Sequence, residues 1–233
     1  MSSIKGQLNE KERKIITDAV AELQPECVLE VGTWYGGGST LHILQALEAN
    51  KKGHLWGIEA YDHIYEKMIE NIKSAGEELE ARFTPIFGFS DKVIPGFLAE
   101  SERSIGVVFL DGGDSPMEQI LEFQLLQDAV PVGGVVLSHD AKLRKGKWLV
   151  PYLTQFDNWK VTLHDISDEG LFEARKIAEA PSSESKARAA KTLAALRREP
   201  VEWIGRNIPR PLLSLIIKTF PTKLVHRFGQ GRK

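Results

Sequence analysis

Apolar and polar positions follow two periods along this chain. Over residues 9–23, Ile15, Ile16, Ala19, Val20 and Leu23 share one helical face, which predicts a helix with Asn9 as its N-cap. Short apolar runs follow at 28–31, 55–58, 83–87, 107–110 and 135–137, each of strand length. Between them lie stretches of helical pattern at 39–49, 63–75, 91–99 and 116–129. Strands separated by helices predict a parallel sheet covered by helices on both faces. After a short helix near Trp148 the pattern changes. The runs at 159–166 and 171–177 are joined by Ser167-Asp-Glu-Gly170, short enough for an antiparallel hairpin. The expected architecture is therefore α/β, a doubly wound and mainly parallel seven-stranded sheet with an antiparallel C-terminal hairpin. From Pro181 the sequence departs from this plan, and Ser182-Ser-Glu-Ser185 opens a helix rich in Ala, Lys and Arg that ends near Glu199-Pro200. The expected division is one domain over 1–180 and a basic helical C-terminal extension over 181–233.

Composition narrows the class. A chain of 233 residues, 42% hydrophobic and 27% charged, can bury one sizeable core and reads as a soluble globular protein. The net charge of −2 offers no general basic face, so no nucleic-acid partner is expected. Cys27 is the single cysteine. It excludes an internal disulfide, fits a reducing compartment, and reads as a core residue of the first strand. No apolar stretch near residue 1 resembles a signal peptide, and the aliphatic cluster at 212–217 is far too short to span a bilayer. The expected location is cytoplasmic.

Chemistry concentrates at the strand ends, beginning with Val28-Leu-Glu-Val-Gly-Thr-Trp-Tyr-Gly-Gly-Gly-Ser-Thr40. An apolar run passes through four glycines into a helix, so free backbone N–H groups at a helix N-terminus face a ligand. Glycines there let a ligand approach the backbone and permit positive φ. The dinucleotide fingerprint G-x-G-x-x-G fails in every frame, because Trp34 stands where its second glycine belongs. The phosphate loop fails as well, because Gly38 replaces its lysine. Glu30-x-Gly32-x-x-x-Gly36 followed by Ser-Thr resembles motif I of class I S-adenosylmethionine-dependent methyltransferases, above all the catechol-type and macrocin-type small-molecule O-methyltransferases. Those relatives usually place the serine one residue earlier, so one of Gly36, Gly37 and Gly38 reads as an insertion. The resemblance covers about three quarters of the chain and implies a Rossmann-like sheet that binds S-adenosylmethionine.

It also implies roles for single residues. Glu30, Gly32, Thr33, Gly36 and Ser39 become cofactor-binding. Glu59, at the second strand end, would accept both ribose hydroxyls, with Asp62 as the alternative. In Phe87-Gly-Phe-Ser-Asp91, Phe89 would cover adenine and Ser90 would bond its edge; the plainer alternative is a helix cap with Phe89 in the core. The fourth strand ends at Asp111, and in metal-dependent relatives the matching aspartate joins residues after the fifth strand to hold Mg²⁺. That gives Asp111 and Asp140 as metal ligands, with Ala141 where catechol-type enzymes have an amide ligand. The metal-free alternative makes Asp111, His139 and Asp140 positioning and loop-capping residues. The catalytic candidates are His139, Asp114 and Asp140. His139 titrates near working pH and could act as general base. Asp114 stands where catechol-type enzymes place a lysine base, so the proton acceptor stays open between His139 and Asp114.

The expected function is methyl transfer to a hydroxyl on a small molecule or sugar, with Mg²⁺ assistance as an option. Lys142, Arg144, Lys145 and Lys147 crowd the loop after Asp140 and read either as solvated surface or as recognition of an anionic acceptor. The alternatives are a nucleotide-binding protein or NTPase, and a non-catalytic methyltransferase fold used as a binding or membrane-associated module. The tail from Val201 carries seven Lys/Arg against one acid. In it Leu212, Leu215, Ile216 and Phe220 share one helical face. That face is expected to pack on the domain or in a homodimer, the alternative being contact with an anionic membrane surface.

Overall fold

Five apolar runs become the parallel strands β1 (Cys27–Val31), β2 (His54–Glu59), β3 (Phe83–Phe87), β4 (Val107–Leu110) and β5 (Val135–Ser138) in the computed structural model, which describes residues 4, 6–100 and 104–200. β6 (Trp159–His164) and β7 (Leu171–Lys176) complete a seven-stranded sheet in the order β3-β2-β1-β4-β5-β7-β6, with β7 antiparallel to both β5 and β6. The expected fold class is the observed one. Every residue of β1, β4 and β5 is buried, as strands covered on both faces require. That is why β4 reads as an unbroken apolar run, and β1 and β5 as runs interrupted only by Glu30 and Ser138, rather than as alternating ones.

Helices α1 (Glu10–Leu23), α2 (Thr40–Asn50), α3 (Asp62–Ala75), α4 (Glu77–Glu80), α5 (Ser90–Glu100), α6 (Pro116–Leu126), α7 (Leu149–Leu153) and α8 (Ser183–Leu196) surround the sheet. Two apolar clusters fill the two faces. On one face Ile16, Val20, Ile43, Leu44, Leu47 and Met68 pack against Val28, Leu55 and Phe109. On the other, Ile120, Phe123, Leu126, Trp148 and Leu153 pack against Leu29, Val108 and Val136. Asn9 caps α1 as expected, accepting from the N–H groups of Lys11 and Glu12, and the Glu12 carboxylate returns to the Asn9 N–H.

The differences from the sequence reading lie at element ends. α4 has four residues and no apolar period, so no pattern announces it. α6 stops at Leu126, where Ala129 N–H bonds the Leu126 carbonyl in a tighter turn. β6 stops at His164 because its partner in register is Leu171, the first residue of β7, which leaves 165–170 as the turn. α8 packs on the domain, with Ala189 buried and the Ser185 hydroxyl bonded to Asp157. The expected apolar tail helix over 212–220 lies outside the described residues. Among those residues no helix is long and apolar enough to cross a membrane.

Candidate functional site

β1 sits between β2 on one side and β4 on the other, so the strand order reverses there. In open α/β sheets the crevice at the carboxyl ends of such strands is the ligand site. A cleft of about 520 Å³ opens at this point. Gly32 and Trp34 after β1, Glu59 and Tyr61 after β2, Phe89 and Ser90 after β3, and Asp111 and Asp114 after β4 line it, with Lys145 reaching in from the loop after β5.

Of the residues read from the sequence, Gly32, Glu59, Phe89, Ser90, Asp111 and Asp114 therefore line the cleft. Glu30, Thr33, Gly36 and Ser39 do not. They build the loop from behind: Glu30 is fully buried and accepts the Ser39 hydroxyl, and Gly36 N–H bonds the Thr33 carbonyl. Burial pushes the Glu30 carboxyl up to about 8, only partly offset by the Ser39 and Thr40 hydroxyls. His139 and Asp140 also stand back from the cleft, behind Asp111 and Lys145. Phe89 is 61% exposed and meets Tyr61 edge to face, so it belongs to the cleft rim and not to the core. The Ser90 hydroxyl donates to Glu122 at 2.7 Å, and burial raises that carboxyl to about 7.

The Glu59 carboxylate accepts three backbone N–H groups, from Trp34 at 3.0 Å, Ala60 at 2.9 Å and Tyr61 at 3.1 Å. Burial raises its pKa against these bonds. A carboxylate has about four acceptor sites, so capacity for a hydroxyl remains. Asp62 is exposed, opens α3 and does not line the cleft.

Gly32 corrects the simple view of glycines as room for a ligand. It has φ +87°, and a Cβ placed on it would meet the Gly112 N at 2.5 Å and the Asp111 carbonyl carbon at 2.8 Å. Its closest neighbour is the chain itself, at the crossing of the β1 and β4 loops. Gly32→Ala is expected to destabilise the fold, by about 1–2 kcal/mol for the left-handed backbone and at least about 1 kcal/mol more for the overlap. Thermal unfolding without ligand checks this. A melting temperature equal to wild type would mean the two loops separate freely.

Behind the cleft wall at Asp111 and Lys145, five charged side chains form one cluster. His139 Nδ1 lies 3.3 Å from both Asp111 Oδ1 and Asp140 Oδ1, and its Nε2 faces Glu12 at 3.4 Å. Lys145 Nζ is 2.7 Å from Asp111 Oδ1 and 2.9 Å from Asp140 Oδ2. Burial would lower the His139 pKa, but Asp111, Asp140 and Glu12 outweigh it and push it up to about 9. Burial opposes the charge on Asp111 and on Lys145 too. Lys145 and His139 nonetheless hold Asp111 below the usual carboxylate range, and the two aspartates hold Lys145 above its own. At neutral pH His139 is thus an imidazolium rather than the free base its ordinary pKa suggested.

Asp111, His139 and Asp140 bring ligand atoms within 4.8 Å of one another, as a metal site would. They do not fit a resident Mg²⁺. The carboxylate oxygens already face an ammonium, and the third donor is an imidazole where Mg²⁺ prefers oxygen. Lys145 and the His139 imidazolium already balance the two aspartates, and the Glu12 carboxylate faces the other side of His139.

Sequence reasoning missed Glu12, Glu122 and the inward course of Lys145. The neighbours of Lys145 are engaged elsewhere: Lys142 with Asp165, Lys147 with Glu199, and Arg144 with the Asp114 carbonyl. The other cations of the loop are thus each paired with a protein group.

The family model described as "Methyltransferase domain" matches residues 29–141. No curated protein matches the sequence. Solved structures with a similar fold include the O-methyltransferase TomG from Streptomyces achromogenes, involved in tomaymycin synthesis and bound to S-adenosylmethionine. It is 17% identical, with 74% of this chain and 82% of that chain covered and a TM-score of 0.64. An O-methyltransferase from Bacillus cereus in complex with S-adenosylhomocysteine is 17% identical over 73% and 82% of the two chains, TM-score 0.59. The S-adenosylhomocysteine-bound Podospora anserina methyltransferase PaMTH1 is 14% identical over 74% and 80%, TM-score 0.60. Residues 29–141 thus match the methyltransferase-domain family model, and the sheet has the fold of the solved S-adenosylmethionine- and S-adenosylhomocysteine-bound methyltransferases.

Proposed function

We propose that the protein transfers the methyl group of S-adenosylmethionine to a hydroxyl on a small molecule. The observation that carries this is the cleft at the β1–β4 crossover, lined by Glu59 at the end of β2 and by Asp111 and Asp114 after β4. The three solved relatives named above, two of them described as O-methyltransferases, support it.

Glu59 takes a ribose hydroxyl on its remaining acceptor site, Phe89 and Ser90 flank the adenine, and the methionine end lies over Gly32 toward Asp111. The acceptor oxygen attacks the sulfonium methyl, the S–C bond breaks as the O–C bond forms, and S-adenosylhomocysteine leaves. The methyl group is already activated, so the protein aligns the oxygen and receives its proton. Alignment alone contributes about 7 kcal/mol or more. Asp114 receives the proton, because it faces the cleft while His139 is buried, charged and set back. Acceptors with a neutral ring suit the rim of Tyr61, Phe89 and Leu121 better than polyanions do, since the nearby cations are engaged. Mg²⁺ has no part in this reading, because Lys145 holds its two expected ligands.

Calorimetry with S-adenosylhomocysteine, NAD and ATP, followed by turnover on a panel of hydroxylated acceptors, tests the proposal. Binding of S-adenosylhomocysteine alone is the expected result; binding of ATP or NAD in its place would reject it. Glu59→Ala is expected to weaken S-adenosylhomocysteine by about 1.5–3 kcal/mol, the range for a hydrogen bond to a charged acceptor. Unchanged affinity would remove Glu59 from the ribose contact.

A further inference from the structure

Lys145 Nζ donates to three oxygens: the Asp111 carbonyl at 2.8 Å, Asp111 Oδ1 at 2.7 Å and Asp140 Oδ2 at 2.9 Å. An ammonium has three N–H bonds, so all of them are used on two residues at neighbouring strand ends. The local chain is shaped to return this side chain inward. Asp140 has φ +58°, a left-handed conformation rare outside glycine. Leu143 N–H then bonds the Asp140 carbonyl at 2.9 Å, and Lys147 N–H bonds that of Leu143 at 3.0 Å. Gly146 lies so close beneath that a Cβ there would meet the Asp140 oxygen at 2.3 Å. Ala141 and Lys142 N–H groups fasten the loop to Gly170 and Glu169 of the β6–β7 turn. The Lys145 side chain is left 18% exposed.

Two carboxylates brought this close repel each other unless a cation lies between them. A divalent ion is one solution and a tethered ammonium is another. We infer that Lys145 is a built-in replacement for a divalent cation at Asp111 and Asp140. It fixes the two carboxylates at the acceptor end of the cleft, makes turnover independent of added metal, and closes a metal site that Asp111, His139 and Asp140 would otherwise compose. Its donors are all engaged, so it positions these carboxylates and exchanges no proton with the acceptor. Removing the ammonium while leaving the three ligands should therefore open a divalent-cation site. Mn²⁺ is the suitable probe, because it accepts imidazole as well as carboxylate. The metal-binding arm of this inference stands apart from the proposed activity; only the turnover arm rests on it.

The experiment measures Mn²⁺ uptake by the full chain, using calorimetry and electron paramagnetic resonance, with S-adenosylhomocysteine binding and thermal melting as checks on folding. Wild type and Lys145→Arg are expected to take up no Mn²⁺ at this site up to about 1 mM free ion. Lys145→Met is expected to take up Mn²⁺, and adding Asp140→Asn to that variant should abolish the uptake. Wild-type turnover should be equal in EDTA and in Mg²⁺. Micromolar Mn²⁺ binding by wild type that disappears in Asp140→Asn would overturn the inference. So would a folded Lys145→Met that takes up none. If Lys145→Met does not fold, wild type and Lys145→Arg decide the matter alone. Wild type that binds no S-adenosylhomocysteine would reject the methyltransferase reading and leave the metal result standing.

Discussion

Asp114→Asn is expected to lower turnover by about 10²–10⁴-fold, the contribution of a positioned general base. Affinity for S-adenosylhomocysteine should stay close to that of wild type, because in the proposed reading Glu59 and the β1 loop, not Asp114, hold that ligand. The reason is access. Asp114 is exposed, lines the cleft, and has the Tyr61 hydroxyl 3.5 Å from its Oδ2, a distance long enough to leave the carboxylate open to an acceptor. Its main chain is held more firmly: the carbonyl accepts Arg144 at 3.0 Å, so the side chain can be replaced without loosening the loop. Asparagine keeps the shape and removes the basic oxygen. His139 is the rival, and the two separate by their variants. If His139 were the base, Asp114→Asn would change turnover little and His139→Gln would abolish it with folding intact. Single-turnover rates on the best acceptor of the panel give the answer without interference from product release.

The strand ends were legible in the sequence because a parallel sheet leaves little choice. Runs such as 107–110 and 135–137 are buried on both faces, so their apolar content is unbroken and the first polar residue after each marks the carboxyl edge. Glu59 and Asp111 follow from that rule alone. β6 was drawn two residues too long, because Ile166 in the turn continues its apolar character while only the register with β7 shows where pairing stops. The cluster behind Asp111 was not legible for a different reason. Lys145 is 34 residues from its carboxylate partner Asp111, and its inward course depends on a left-handed Asp140 and a glycine packed on the backbone. Among Lys142, Arg144 and Lys147 it has no mark of its own in the sequence. Glu12 completes the capping box of α1, and that the same carboxyl also faces His139 is a fact of packing between distant elements, with no mark in the sequence.

Glu30→Gln is expected to flatten the pH dependence of stability and to stabilise the ligand-free protein at alkaline pH. Glu30 is fully buried under the β1 loop, and burial holds its carboxyl at about 8, against an ordinary value of 4.5. The charges of Asp111 and Glu59 push in the same direction. Between pH 4.5 and 8 the folded chain keeps a proton that the unfolded chain has released. The stability this represents is fully present below pH 4.5 and is lost as pH rises through 8, by an amount on the order of 5 kcal/mol. That is a large share of what holds an ordinary domain folded. Glutamine imitates the neutral acid: its carbonyl can accept the Ser39 hydroxyl as Glu30 does, and it has no proton to lose. Urea unfolding of both proteins at a series of pH values from 5 to 8.5 should give near-equal stability at the acid end and a gap of several kcal/mol at the alkaline end. Some slope will remain in the variant, because Glu122 at about 7 and His139 at about 9 are displaced in the same direction and lose stability as pH rises. Stability curves that run parallel over the whole range would mean that Glu30 is ionised in the folded protein and that the β1 loop is far more open to water than its burial indicates.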